Sequence, residues 1–299
     1  YDNRYYVNTY NLDFTLPFPW LNFKLGGEYS HYRAENYARY NTIDDFLYKE
    51  TVGSFYTDVS KSWEKVFFKM GARYEYTKTK GYPQEEQNRF SRSYANWFPF
   101  VDLTYKPVEN NVLYLGYSKR ILRPEMIQLN PTRLYTDVFS YSVGNPLLNP
   151  ALMDYLEFRY QYKTLNVGVS YVHTSDGIGL LVNNQANSQI VQTYSNCISS
   201  NSLTGNVSYN YSHNRFSAGA QLSVTYNKSK SSDKSLNDGS LEGFSTVAAT
   251  NITYLLGSKT VAYATYMYCF PGMEQFIHYK SFQNLALGVN CNLMKNKLI

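Results

Sequence analysis

Two-residue alternation of apolar and polar side chains, repeated in segment after segment, constrains this chain more than any other feature. In 152–163, Leu152, Leu156, Phe158, Tyr160 and Tyr162 share one face, and Tyr155, Glu157, Arg159, Gln161 and Lys163 share the other. In 216–227, Phe216, Ala218, Ala220, Leu222, Val224 and Tyr226 oppose Ser217, Gly219, Gln221, Ser223, Thr225 and Asn227. The same pattern runs through 66–77, 203–211 and 284–293. Successive side chains of a strand point to opposite faces, so this period specifies strands with one apolar and one wet face. Helical spacing never fits these segments better.

Connections carry a second signal. Short turns are expected near Pro17–Pro19, Lys61–Glu64, Pro107–Asn111, Lys163–Thr164, Ser212–Arg215, Leu256–Lys259 and Met294–Lys297. Longer polar stretches lie between them at 31–45, 78–95, 119–150, 174–188, 228–243 and 270–280. Strict alternation of short and long connections is the rhythm of a transmembrane barrel, whose strands cross the bilayer with only about 9–11 residues. It predicts about 13 strands and the start of another. Bacterial single-chain barrels use even numbers, so this count, with strands running into both ends, predicts a piece of a larger barrel. The alternative is a soluble β-rich sandwich, propeller or solenoid, whose strands are usually nearer 5 or 6 residues.

Composition agrees with an all-β chain. Tyrosine supplies 32 of the 299 residues and charged residues only 17 %, below the roughly 25 % of soluble domains. No apolar run approaches the roughly 18–20 residues of a membrane-crossing helix, which leaves strands as the only way across. The net charge of +5 is modest and spread out, so no nucleic-acid partner is expected. Cys197, Cys269 and Cys291 lack metal-ligand spacing and are read as small hydrophobes. His31, His173, His213 and His278 are scattered, no phosphate-cradling loop is present, and no serine sits in a nucleophile elbow. No catalytic residue, metal site or cofactor is therefore assigned. Acidic residues in 78–95 and 228–243 do not match a calcium loop and are read as solvated.

Four segments, taken in order, resemble the outer-membrane β-barrel family related to TonB-dependent receptors that is common in Bacteroidetes. They are Gly71-Ala72-Arg73-Tyr74-Glu75-Tyr76; Trp97-Phe98-Pro99-Phe100 running to Leu103-Thr104-Tyr105-Lys106; Tyr117 to Pro124 followed by Gln128-Leu129-Asn130-Pro131; and Gly144-Asn145-Pro146-Leu147-Leu148-Asn149-Pro150, leading into Tyr155-Leu156-Glu157-Phe158. The resemblance is strongest over 45–175; Ala72 stands where the family usually has Leu. It implies an antiparallel transmembrane barrel of about 22 strands, of which 1–299 would be a single domain covering roughly strands 8 to 21. It also implies a bacterial outer-membrane address, contact with outer-membrane lipid, import of a scarce nutrient, and no enzymatic activity. A TonB-type energy-transducing protein would act through a plug lying outside this chain, and a surface lipoprotein is a further expected partner. A plugless porin or structural outer-membrane protein is the other reading of the same wall.

Within 119–150, Pro124, Pro131, Pro146 and Pro150 lack an N–H and must interrupt any ladder, while Gly144 permits a turn before Asn145. Together with Arg123, Leu129 and Asn130 they describe a folded connection rather than slack chain. Lys119, Arg120, Arg123 and Arg133 form the one cationic concentration. As a rim they would draw an anionic ligand such as a metal chelate towards the lumen; alternatively they anchor the loop to carboxylates and carbonyls or meet anionic lipid.

Overall fold

The computed structural model describes residues 2–40, 42–184, 189–233, 240–274 and 277–291, with side chains at 4–36, 45–184, 189–233, 240–273 and 277–291. In chain order the strands are β1 (Asp2–Pro17), β2 (Asn22–Tyr40), β3 (Thr42–Ser62), β4 (Val66–Tyr82), β5 (Phe90–Tyr105) and β6 (Asn111–Leu122). A helical turn α1 (Met126–Leu129) and the short β7 (Leu134–Tyr135) and β8 (Ser140–Ser142) follow. Then come β9 (Ala151–Tyr162), β10 (Leu165–Asn184), β11 (Ile190–His213), β12 (Phe216–Ser231), β13 (Ser240–Leu255) and β14 (Thr260–Cys269). The short β15 (Gly272–Glu274) and β16 (Ile277–Tyr279) precede β17 (Phe282–Cys291).

Thirteen of these make one antiparallel wall in the order β1-β2-β3-β4-β5-β6-β9-β10-β11-β12-β13-β14-β17. Among the described residues β1 and β17 are its two edges. The alternation read in the sequence becomes continuous rows across the wall. On one face Met70, Val101, Tyr117, Leu156, Tyr171, Leu203, Tyr226 and Phe244 are successive cross-strand partners. On the other, Asp58, Gly71, Phe100, Ser118, Tyr155, Val172, Ser202 and Asn227 succeed one another. A one-residue slip anywhere would exchange the two faces, which is why the pattern pins the register. Leu12, Phe14, Phe55, Trp97, Leu103, Leu115 and Val207 stand well exposed on the apolar face. So large an apolar band in water would aggregate; in hydrocarbon it is the matching solvent.

Most of the long polar stretches prove to be strand rather than loop. β2 and β3 stay paired up to Tyr40 opposite Thr42, β10 and β11 up to Asn184 opposite Ile190, and β12 and β13 up to Lys230 opposite Ser240. In 270–280 the chain forms the β15–β16 hairpin. Ladder hydrogen bonds need only backbone, so loss of the apolar face marks where a strand leaves hydrocarbon, not where pairing ends. The opposite ends turn tightly, with Asn110, Lys163 and Asn214 at φ of 63°, 52° and 50°. Among residues with a Cβ, asparagine is one that tolerates that left-handed conformation, and two of the three are asparagine. The turn expected at 294–297 lies outside the described residues. Cys197 and Cys269 are buried and all three cysteines are free.

The 119–150 connection does not stand up from the wall. Leu129 and Leu148 form a buried cluster with Ala34 of β2 and with Phe46 and Tyr48 of β3, and Ile178 of β10 and Tyr194 of β11 pack against it. β3 and β10 are five strands apart in the sheet, about 24 Å if flat. One inserted loop reaches both because the wall curls around its polar face.

Candidate functional site

The polar, concave face is the candidate site, and its two halves differ. Over β10–β13 it is neutral: Ser202 donates to Asn227 at 2.6 Å, and Thr204 and Thr225 hydroxyls meet at 2.9 Å. Over β1–β6 and β9 it is charged, and several of the charges are paired across strands. Lys24 Nζ lies 3.1 Å from Asp13 and Lys69 Nζ 3.6 Å from Asp58.

Glycines make several of these ties possible. Tyr56 of β3 lies across Gly26 of β2, where a Cβ would come within 2.6 Å of the ring, and its hydroxyl donates to Asp13 of β1 at 2.6 Å. Phe100 covers Gly71 in the same way, and Tyr114 covers Gly116 while donating to Asp102 at 2.6 Å. Laying a ring over a neighbouring glycine keeps the inner wall low and shields the bare backbone. Beside these rings is an open cleft of about 550 Å³, bordered by Lys24, Asp58, Lys69, Arg73, Phe100, Ser118, Arg120 and Tyr155.

Above the cleft five charges form a chain. Arg73 donates from Nη2 to Glu28 Oε1 at 2.9 Å and from Nε to Glu75 Oε1 at 2.6 Å. Arg123 donates from Nη2 to Glu75 Oε2 at 2.5 Å, and its Nε stands 3.6 Å from Glu50. Tyr48 donates to Glu50 at 2.9 Å. Burial works against the charge on Arg123, but Glu75, Tyr94 and Glu50 overcome it and hold the guanidinium above its ordinary value.

The four sequence-derived cations do not converge. Lys119 pairs with Asp154 at 3.6 Å and Arg123 joins the chain just described. Arg120 borders the cleft, hydrogen-bonded to Ser118 and stacked 4.3 Å from the Tyr155 ring centroid. Arg133 lies apart, 5.2 Å from the Tyr141 ring.

The proline and glycine motifs, in contrast, meet. Gly144 N–H donates to Asn130 O at 2.8 Å and Asn145 N–H to Gln128 O at 2.7 Å. A Cβ on Gly144 would lie 2.5 Å from Asn130 O, so glycine is required for close backbone approach rather than for an unusual turn. Asn130 Oδ1 accepts from Thr132 N–H beyond Pro131, and Asn145 donates to Tyr194 O. Pro124 precedes a capping box in which Glu125 and Gln128 satisfy each other's backbone N–H at the start of α1. Arg92 of β5 donates to Leu148 O and Asn149 Oδ1, both at 2.8 Å, binding the Pro146–Pro150 stretch to the wall. Arg92, Glu28, Glu50, Arg73 and Glu75 were not singled out as site residues from the sequence. Arg73 and Glu75 lie in the Gly71–Tyr76 segment that carries the family resemblance; the linear signal of Arg92, Glu28 and Glu50 is a place on the polar face of alternating strands.

Comparisons with known proteins fit this architecture. No curated protein matches the sequence. The copper transporter OprC shares the fold with a TM-score of 0.70 at 15% identity, over 97% of this chain and 49% of its own. The hemophore receptor HasR of Serratia marcescens, solved with its hemophore HasA and heme, gives 0.66 at 14% identity over 98% and 55%. The siderophore receptor PiuA of Acinetobacter baumannii gives 0.65 at 14% identity over 98% and 50%. This chain therefore spans about half the length of the solved proteins it matches. The model of the outer membrane protein beta-barrel family matches residues 1–299, so the chain belongs to that family, and its place is the bacterial outer membrane.

Proposed function

We propose that residues 1–299 form one barrel-wall domain of a TonB-dependent outer-membrane receptor that imports a scarce nutrient: a siderophore, haem, a glycan or a peptide. The observation that carries this reading is the 119–150 connection, which folds into the mouth and is held to both sides of the wall. A receptor needs a fixed platform that presents selected side chains to a ligand, and this connection is fixed at both sides. The resemblance in fold to transporters and receptors supports the same choice. On this reading a plug elsewhere in the complete protein engages a TonB-type partner, and a surface lipoprotein delivers cargo. Among the four cations, Arg120 is best placed to meet an anionic ligand, because it borders the cleft while Lys119 and Arg123 are neutralised by carboxylates.

Uptake tests this. A strain lacking the gene should lose accumulation of one among labelled ferric chelate, haem, oligosaccharide or peptide, and lose it equally when its TonB-type protein is deleted. Unchanged uptake of all four, with steady ohmic conductance of the purified protein in planar bilayers, would instead identify a plugless porin.

A further inference from the structure

We propose that the outer wall at β2–β4 docks a phosphorylated lipid of the outer leaflet, its headgroup on a cationic row above the aromatic girdle and an acyl chain in a notch below. The inference rests on the membrane location of the wall and not on the cargo.

Arg33, Lys49 and Lys80 are direct cross-strand partners on three adjacent strands, and Lys78 lies two residues from Lys80 on the same face. Like charges set opposite one another destabilise a sheet unless something answers them. On the concave face Lys24 has Asp13, Lys69 has Asp58, and Arg73 has Glu28 and Glu75. On the outer face Glu35 answers Arg33. Asp45, the other acid on this face of β3, forms no ion pair with the lysines among the described residues. Lys49 has, among the described residues, the Tyr82 ring 5.6 Å from its Nζ and no carboxylate. Lys78 is exposed and, like Lys80, without a carboxylate partner among the described residues. A phosphorylated headgroup is the counter-charge that this row would take.

Directly below, Tyr10, Tyr29, Gly53 and Tyr76 make one outward row, with Leu12, Gly27 and Phe55 in the next. A Cβ on Gly53 would meet nothing within 4 Å. Packing inside the protein therefore does not require glycine there, and a glycine weakens a strand. Its effect is to open an apolar notch of about 530 Å³ between Tyr10, Leu12, Phe14, Tyr29 and Phe55. Gly53 lies four residues below Lys49 along β3, about 14 Å. A lipid standing against the wall with its phosphate at Lys49 lays a chain over Gly53. Cationic row and apolar notch are two halves of one amphipathic ligand's footprint.

The test uses the complete protein carrying this chain, purified in detergent, with lipid A as probe and native mass spectrometry as readout. The triple variant Lys49→Gln, Lys78→Gln, Lys80→Gln should bind lipid A about a hundredfold more weakly. Gly53→Leu should weaken binding while leaving its salt dependence unchanged. Lys106→Gln, at the opposite end of the wall, should bind as the unaltered protein does. Heat-modifiable gel mobility confirms that each variant is folded. Lipid A binding unaltered in both the triple variant and Gly53→Leu overturns the proposal. So does displacement of lipid A by inorganic phosphate at equal concentration, which would make the row a site for free anions.

Discussion

Arg123, one residue past the end of β6, donates from Nη2 to Oε2 of Glu75 on β4 at 2.5 Å. This contact ties the start of the 119–150 connection to the wall two strands away. Glu75 is also held by Arg73, so a single buried carboxylate joins the loop to the charge chain of β2–β4. Two guanidiniums and three carboxylates taken largely out of water are stable only as a set, since removing one leaves another charge unanswered.

Glu75→Gln should therefore cost about 3 kcal/mol, and most of the cost should fall on the loop. Hydrogen exchange of amides in 124–148 is expected to accelerate while β10–β13 remain protected. A double-mutant cycle with Arg123→Ala should show strong coupling; additive effects would mean the contact contributes nothing of its own.

Gly144→Ala places a methyl 2.5 Å from Asn130 O and 2.6 Å from Asn130 N, both backbone atoms that cannot rotate away. Forcing atoms into packed structure costs about 1–3 kcal/mol, and limited proteolysis should find the 124–148 segment cut faster. Gly205→Ala is the companion change. A Cβ there meets nothing within 4 Å, so the wall should be unaffected or slightly more stable.

Asp137 accepts from Phe139 N–H and from the Ser140 hydroxyl, both at 2.7 Å. The Ser140 bond and then the Phe139 bond hold its carboxyl below the ordinary 3.8. A depressed folded-state pKa means that its stabilising contribution is present above the unfolded value and is lost as pH falls through the folded one. The turn before β8 should thus keep its amide protection at neutral pH and lose it only in strong acid, whereas Asp137→Asn should remove that pH dependence. Protection of Phe139 N–H that fades nearer neutral pH would contradict the assignment.

Val101 faces outward midway along the apolar band and Ser118, on the neighbouring strand, faces the cleft. Val101→Arg should cost about 2–4 kcal/mol in a bilayer, seen as a lowered urea midpoint for the protein folded into liposomes. Ser118→Arg should be tolerated by the fold. Equal effects of the two changes would mean the faces have been assigned the wrong way round.

The wall was legible in the sequence because alternation is a local property. Leu156 and Glu157, or Leu222 and Ser223, announce their faces from their neighbours alone, and the count of about 13 strands follows. The extent of the strands was less legible. Residues such as Lys78, Lys80 and Asn184 lie beyond the apolar band, and a polar segment still in a hydrogen-bonded ladder looks the same as a loop. The motif residues of 119–150 were recognisable as a folded connection, but not the direction in which it folds.

What the sequence by itself determined is the two-faced strand and its place in a membrane, since each depends on residues one or two positions apart. Only the tertiary structure decided which charges answer one another. Arg123 meets Glu75 across 48 residues and Arg92 meets Leu148 across 56. Ion pairs need proximity in space, and the curl of the wall and the inward fold of one loop supply it. That is why four cations close in sequence separate into two neutralised by carboxylates, one at the cleft and one apart, while Lys49 and Lys80, far apart in sequence, stand side by side on the outer face.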